Sequence, residues 1–340
     1  MMTLPPLLAG IVLLLLSASA HAQSALQPDQ LAIVINDAEP NSVAIGAYYR
    51  KRRSIPAANV VHVNIPGKPH AIDAARFRLL KEEIDARLSP DVQAVLMLWT
   101  APYRVECNAI TAAYTLGFDG AQCAQTCAAG RPSPYFNSAV RRPFSELDIR
   151  LAMLLPTESV AQARALIDRG AGAGFRVVPA SAYYLVTSET VRNTRAAFFP
   201  PSRRIAARQL NTRTLHADAL DGARDILIYQ TGTAEVAKLE TLHFVPGALA
   251  DHLTSFGGDL LADAGGGQMS SLRWLEAGAT ASYGTVSEPC NYWQKFPNPS
   301  VLLKNYLQGN SAIEAYWKSV AWPTQGVFIG EPLATPYRRP

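Results

Sequence analysis

The chain has 340 residues, a formal net charge of +4 and 17% charged residues. That length supplies ample core for one large α/β domain or two closely packed lobes. Its one dense basic run, Arg50-Lys51-Arg52-Arg53, reads as a solvated helix end. No second basic stripe or interleaved aromatics accompany it, which argues against nucleic-acid binding.

The first residues read as an export signal over 1–22. An apolar run from Leu7 to Leu16 precedes Ala20-His21-Ala22, a small-x-small cleavage pattern. The run is too short to span a bilayer, and no later segment is apolar for long enough, so no membrane span is expected after cleavage. The expected lobes are 23–180, carrying a long loop at 101–145, and 181–340.

"LAIVIN" (31–36) reads as a buried strand. A helix follows over 40–54, with Val43, Ile45, Ala47 and Tyr48 near one side. A strand at 59–65, a helix at 71–88 and a strand at 92–100 continue the alternation. In that second helix Ile72, Phe77, Leu80, Ile84 and Leu88 recur at helical spacing. The pattern predicts an α/β fold with a mostly parallel sheet flanked by helices on both faces. Residues 101–145 are rich in turn formers, and loops this long are usually functional, so this one is a candidate lid or binding loop. Beyond it come a strand at 150–156, a helix capped by Thr157 and ended by Gly170, and a strand at 182–188. A helical stretch to about Asn211 and a strand at 225–232 follow. Pro246 is read as starting a helix that Gly257-Gly258 end. A short helix at 271–278, a strand at 279–284, two closing helices and a strand at 326–330 complete the chain.

The four cysteines, Cys107, Cys123, Cys127 and Cys290, favour disulfides in an exported chain. Three pairings are open, and 123–127 with 107–290 is the preferred one. No histidine near them completes a zinc set. His62, His70, His216, His243 and His252 never occur at metal-ligand spacing, so no metal is expected, and His62 within its strand reads as structural. No Gly-x-Ser-x-Gly elbow, Gly-x-Gly-x-x-Gly or Walker sequence is present, so no cofactor is expected. The triple glycine at 265–267 reads as a turn.

In an open parallel sheet, ligands bind beyond the carboxyl ends of strands. That rule makes Asp37, Trp99, Thr100, Tyr103, Arg104, Asp251 and Ser282 candidate ligand-binding residues. Candidate catalytic residues are His252, Ser255 and Glu288, the histidine and glutamate as acid–base groups. Asp251, His252 and Ser255 do not form a local triad. On a helix Asp251 points about 100° from His252, and on a strand to the opposite face.

"GATASYGTVSEPCNYWQKFPNPSVLL…GNSAIEAYWKSVAWPTQGVFIGEPL", "NDAEPNSVAIGAYYRKRRSIPAANVVHV" and "LADHLTSFGG" resemble a family of exported bacterial proteins of about this length. More distantly, the last third resembles gingipain-type cysteine peptidases, which implies a caspase-like architecture. Ala277-Gly278-Ala279 through Gly284 look like the pattern's small-residue strand, and Gly330-Glu331-Pro332 looks like its closure. That pattern ends one strand in a catalytic His and the next in a catalytic Cys. Here "DILIYQTG" ends in Thr231-Gly232, no Cys lies between it and Ala277, and Cys290 follows the strand. A thiol without an imidazole has no general base. Two functions follow from the sequence: a non-peptidase binding or envelope-associated module of unknown partner, or a hydrolase with a rearranged Ser/His/Glu site.

Overall fold

The computed structural model describes residues 25–174, 178–261 and 267–338. The predicted signal segment and most of the triple glycine lie outside them. Among the described residues no helix is long and apolar enough to cross a membrane.

The first half follows the predicted alternation. β1 (Leu31–Asn36) leads into α1 (Pro40–Arg53) and β2 (Val60–Val63). After the short β3 (Ala71–Ile72), α2 (Ala74–Asp85) is capped by the Asp73 carboxylate, which accepts the Arg76 N–H at 2.8 Å, and β4 (Ala94–Leu98) follows. The buried face of α1 is Ser42, Ile45, Gly46 and Tyr49, which shares Ile45 with the predicted one, while Val43 is exposed. Gly46 suits this face: a Cβ there would lie 2.5 Å from Ile35 Cδ1, so a larger residue would have to displace the Ile35 side chain.

Residues 101–145 hold more structure than their turn formers suggest. β5 (Arg104–Val105), β6 (Asn108–Ala109), α3 (Ile110–Leu116), α4 (Gly120–Ala124) and α5 (Pro143–Leu147) lie here. Ile110 to Thr115 are all buried, so α3 shows no polar–apolar periodicity. All four cysteines are oxidised, but as Cys107–Cys123 and Cys127–Cys290, each with Cα atoms 5.2 Å apart. This corrects the preferred pairing. α4 carries Cys123 back towards β6, where the Asn108 amide lies 3.2 Å and 3.3 Å from the two sulfurs, and Cys127 emerges beyond the helix. Two buried lysines fasten the same segment. Lys295 donates to the Thr126 carbonyl at 2.6 Å, and Lys318 to those of Ser138 and Val140 at 3.0 and 2.7 Å. The expected lid is a strap tied down along its length.

β7 (Leu151–Leu154) and α6 (Val160–Ala171) come next. Ser159, not Thr157, caps α6, because the Thr157 hydroxyl donates to Glu39 and its N–H to Thr100 Oγ1. β8 (Ala180–Val186) follows. The predicted helix to Asn211 is replaced by 3₁₀ turns at Thr190–Arg192 and Ala196–Phe198, then β9 (Arg203–Ile205) and β10 (Leu210–His216). Pro200-Pro201 remove two helical donors and stop propagation. β11 (Ile226–Thr231) is as predicted. β12 (Phe244–His252) is a strand where a helix was expected: Pro246 lies exposed near its start, and Gly247 to His252 are buried. Gly257-Gly258 do not end a helix. They abut the backbone of Gly284, whose added Cβ would lie 2.3 Å from the Gly257 carbonyl carbon. α7 (Leu272–Glu276), β13 (Ala281–Thr285), α8 (Pro299–Leu307), α9 (Ala312–Ser319) and β14 (Gly326–Gly330) finish the chain.

Eleven strands form one sheet in the order β2-β1-β4-β7-β14-β13-β12-β11-β8-β10-β9, and β3, β5 and β6 form a small second sheet. Every residue of β1, β4, β7, β11, β13 and β14 is buried, as expected where helices cover both faces of a sheet. β2, β1, β4 and β7 are mutually parallel, as are β13, β12, β11, β8 and β10. β14 runs antiparallel to β13 and meets β7 at a single pair, Ile329 beside Leu154, while β9 runs antiparallel at the far edge. Arg53 and Gly170, near the ends of α1 and α6, lie against Glu331 just past β14, and Arg169 donates to the Leu275 and Ala279 carbonyls just before β13. β13 therefore starts at the same edge as β1 and β7, and the two blocks run in one direction.

Gly284→Ala should destabilise the fold by about 2–3 kcal/mol, as overpacking against rigid backbone does, measured as a lowered denaturant midpoint. Non-reducing peptide mapping should recover Cys107 linked to Cys123 and Cys127 linked to Cys290.

Candidate functional site

The strand ends share one edge. The Tyr103 hydroxyl, after β4, donates to Asp259, after β12, and the Ser287 hydroxyl, after β13, donates to the Cys107 carbonyl, again after β4.

Beyond β1 and β4 most of the candidate ligand-binding residues are engaged within the protein. Asp37 Oδ1 lies 2.7 Å from His62 Nδ1, with both side chains about half exposed. Trp99 is buried and donates its indole N–H to the Pro102 carbonyl at 3.0 Å. Thr100 Oγ1 accepts from Thr157 N at 2.9 Å. Arg104 lies partly buried in β5. Tyr103 donates its hydroxyl to Asp259, in the loop after β12, and burial pushes its pKa well up. The central acid here is Glu39, which the sequence reading passed over. It is buried, accepts from Thr157 Oγ1 and lies 3.4 Å from Lys68 Nζ.

Farther along the same edge, alternation along β12 sends Asp251 and His252 to opposite faces, as the strand geometry required. Asp251 is completely buried and bound by Arg195 Nη1. Gln230 Nε2 donates to its other oxygen at 2.9 Å, and the Tyr316 hydroxyl lies 3.5 Å away. Arg195, itself 1% exposed, also donates to the carbonyls of Thr231 and Pro297 at 2.8 and 3.2 Å. Burial pushes the Asp251 carboxyl up from its ordinary value, while Arg195, Gln230 and Tyr316 pull it back. Arg195 arrives on the 3₁₀ turns after β8. They can close over β11 because residue 232 is glycine: a Cβ there would lie 2.0 Å from the Arg192 carbonyl oxygen. No sequence signal marked Arg195, since it lies in a stretch without periodicity.

His252 on the other face has both ring nitrogens occupied. Trp274 Nε1 donates to Nδ1 at 3.0 Å, and Nε2 lies 3.1 Å from the Met269 carbonyl. An indole N–H only donates and a carbonyl only accepts, so the ring is the neutral tautomer with its proton on Nε2. Burial lowers its pKa to about 3. Among the described residues no hydrogen bond joins His252 to Ser255 or Glu288. The Ser255 carbonyl accepts from Thr285 Oγ1 at 2.8 Å, and Glu288 Oε1 accepts from Cys290 N at 2.7 Å. Near Glu288, burial lowers the Lys295 ammonium to about 8 against the pull of that carboxylate. Ser282 is buried in β13, its hydroxyl without a hydrogen-bond partner among the described residues.

No family model matches the chain, and no curated protein does. Among solved structures it is similar to the Arg-specific cysteine proteinase gingipain R, with a TM-score of 0.47 and 10% identity over 91% of this chain and 78% of that one. A protease structure is similar at 0.46 and 9%, over 94% and 80% of the two chains. The complex of Porphyromonas gingivalis RgpB pro- and mature domains gives 0.38 and 9%, over 90% and 79%. β11 ends in Thr231 and β12 in Asp251-His252.

Arg195→Met should cost about 3–5 kcal/mol by stranding Asp251, and the double variant Arg195→Met/Asp251→Leu should recover much of that loss in a denaturant-based double-mutant cycle. His252 gives a pH signature. The unfolded ring titrates near 6.5 and the folded one near 3, so between those values the unfolded chain binds a proton that the folded chain does not. Stability should therefore fall as pH drops through that window, by at most about 1.4 kcal/mol per unit. His252→Gln should flatten that slope in urea titrations.

Proposed function

We propose that the protein is an exported, non-peptidase binding module associated with the cell envelope. The observation that carries this reading is the engagement of His252. An imidazole held neutral between Trp274 and Met269 has no nitrogen free to take a proton from a nucleophile. Asp251 on the opposite face is tied to Arg195 in a buried ion pair and so is not available to orient it. Two disulfides support an oxidising compartment, and the sequence pattern at 1–22 supports export. The alternative is a hydrolase built on His252, Ser255 and Glu288, which would need the His252 ring to leave its buried position.

One experiment separates the two. The purified protein is screened against panels of peptide, ester and glycan substrates beside His252→Gln, Ser255→Ala and Glu288→Gln. No turnover above the blank is expected. Hydrolysis that disappears with Ser255→Ala or Glu288→Gln, in variants that remain folded, would establish the hydrolase instead. Expression in a bacterium with its signal intact should yield a mature chain beginning at Gln23 by intact mass. An uncleaved chain retained in the cytoplasm would remove export from the proposal.

A further inference from the structure

One cleft shares no residue with the strand ends described above. It measures about 190 Å³ and opens between the strap and the two C-terminal helices. Three cations line it: Arg141 from the strap, Lys304 from α8 and Lys318 from α9. Asn137, Gln308 and Asn310 add amide groups to its wall, and no Asp or Glu lines it.

Lys318 is the built part of this site. α9 is buried along its whole length, so the side chain is only 2% exposed and forms part of the cleft wall. Its ammonium is held by the neutral carbonyls of Ser138 and Val140 and lies 4.8 Å from the Tyr135 ring centroid. None of these groups cancels its charge. Among the described residues, no carboxylate lies within 4.0 Å of any of the three cations. The two acids that act on Lys318 from nearby bind elsewhere. Glu314 Oε2 accepts from Leu26 N, Ser311 N and Ser311 Oγ, and Glu146 accepts from the N–H groups of Arg141 and Arg142. Burial lowers the Lys318 pKa, and Arg141 and Lys304 push the same way against Glu314. Lys304 Nζ is turned towards Asn137 Oδ1 at 2.6 Å, a neutral acceptor. Three like charges converging on one cleft repel one another, and an anion seated among them would relieve that repulsion.

The geometry points to an anion-binding site for a small phosphate-bearing group, either a soluble phosphate monoester or the headgroup of an anionic lipid. The volume is below the roughly 300–1,000 Å³ of drug-sized ligand pockets, which suits a headgroup-sized molecule and not a nucleotide. A phosphate takes the planar fork of an arginine and the point charges of two lysines together, and the amide groups can serve its ester or hydroxyl oxygens. A monocarboxylate would leave two cations unmatched. This site is independent of the non-peptidase reading and stands if that reading fails.

Calorimetric titration of the full mature chain with inorganic phosphate and glycerol 3-phosphate, with glycerol as the uncharged control, tests it. Arg141 and Lys304 are exposed, so Arg141→Gln and Lys304→Gln can be made without disturbing the buried lysine, with circular dichroism confirming the fold. Both phosphates should bind and glycerol should not. Each substitution should weaken binding by about tenfold, as expected for a lost charge-assisted hydrogen bond. A control pair, Arg203→Gln/Arg204→Gln on β9, whose residues do not line the cleft, should leave affinity unchanged. Cosedimentation with phosphatidylglycerol vesicles but not phosphatidylcholine vesicles, lost in the cleft variants, would assign the lipid headgroup as the source. The proposal is overturned if no phosphate-bearing probe binds, or if the control pair weakens binding as much as the cleft variants do.

Discussion

β14 is the strand on which the two blocks of the sheet depend. It lies between β7 and β13 and runs antiparallel to β13. Its fit is narrow. Gly326 leaves room for the Tyr283 ring, and Gly330, at φ 130, leaves room for the backbone of Thr280 and Ala281. Between them Phe328 stacks on Trp317 of α9 with ring centroids 4.3 Å apart. Glu331, just past the strand, is fully buried and holds Tyr49 and Arg53 of α1. The end of the chain therefore binds the beginning through the middle of the sheet. Contacts of such wide sequence separation favour slow folding.

β1, β2, β4, β7, β8, β11, β13 and β14 were legible because each is a short apolar run bounded by turn formers, and α1, α2 and α6 because their apolar residues recur at helical spacing. Their mostly parallel pairing was legible too, since strands and helices alternate. The antiparallel course of β14, entered after two successive helices, was not. β12 was misread because "PGALADHLTSFGG" has a proline and two glycines where a helix would have its ends. The prolyl residue instead stands exposed near a strand's start, and the glycines permit backbone contact with Gly284. Local sequence cannot distinguish a glycine needed for a turn from one needed for clearance. α3 escaped notice because burial on every side removes the polar face that reveals most helices.

The polar residues picked out at strand ends are real features of those ends, but most bind the protein itself. Asp251 could be placed on a strand end from sequence, whereas its partner Arg195 lies 56 residues earlier in a segment that only tertiary structure brings back. Buried ion pairs of this kind add little net stability over an apolar replacement, yet they tolerate no half-measures. Arg195 thus holds the 3₁₀ turns after β8 against β11 and β12 and fixes how that edge is closed.

The Cys127–Cys290 bond has a topological meaning beyond holding the strap. It closes a covalent ring spanning 163 residues, which contains β7 to β13 and leaves β14 outside. Arg203 and Arg204 lie exposed on the edge strand within that ring. A protease cutting there would separate Arg195 and Asp251 onto different polypeptides, but both would remain tethered through the disulfide and through the sheet. One backbone cut inside the ring converts a single chain into a two-chain molecule of unchanged composition.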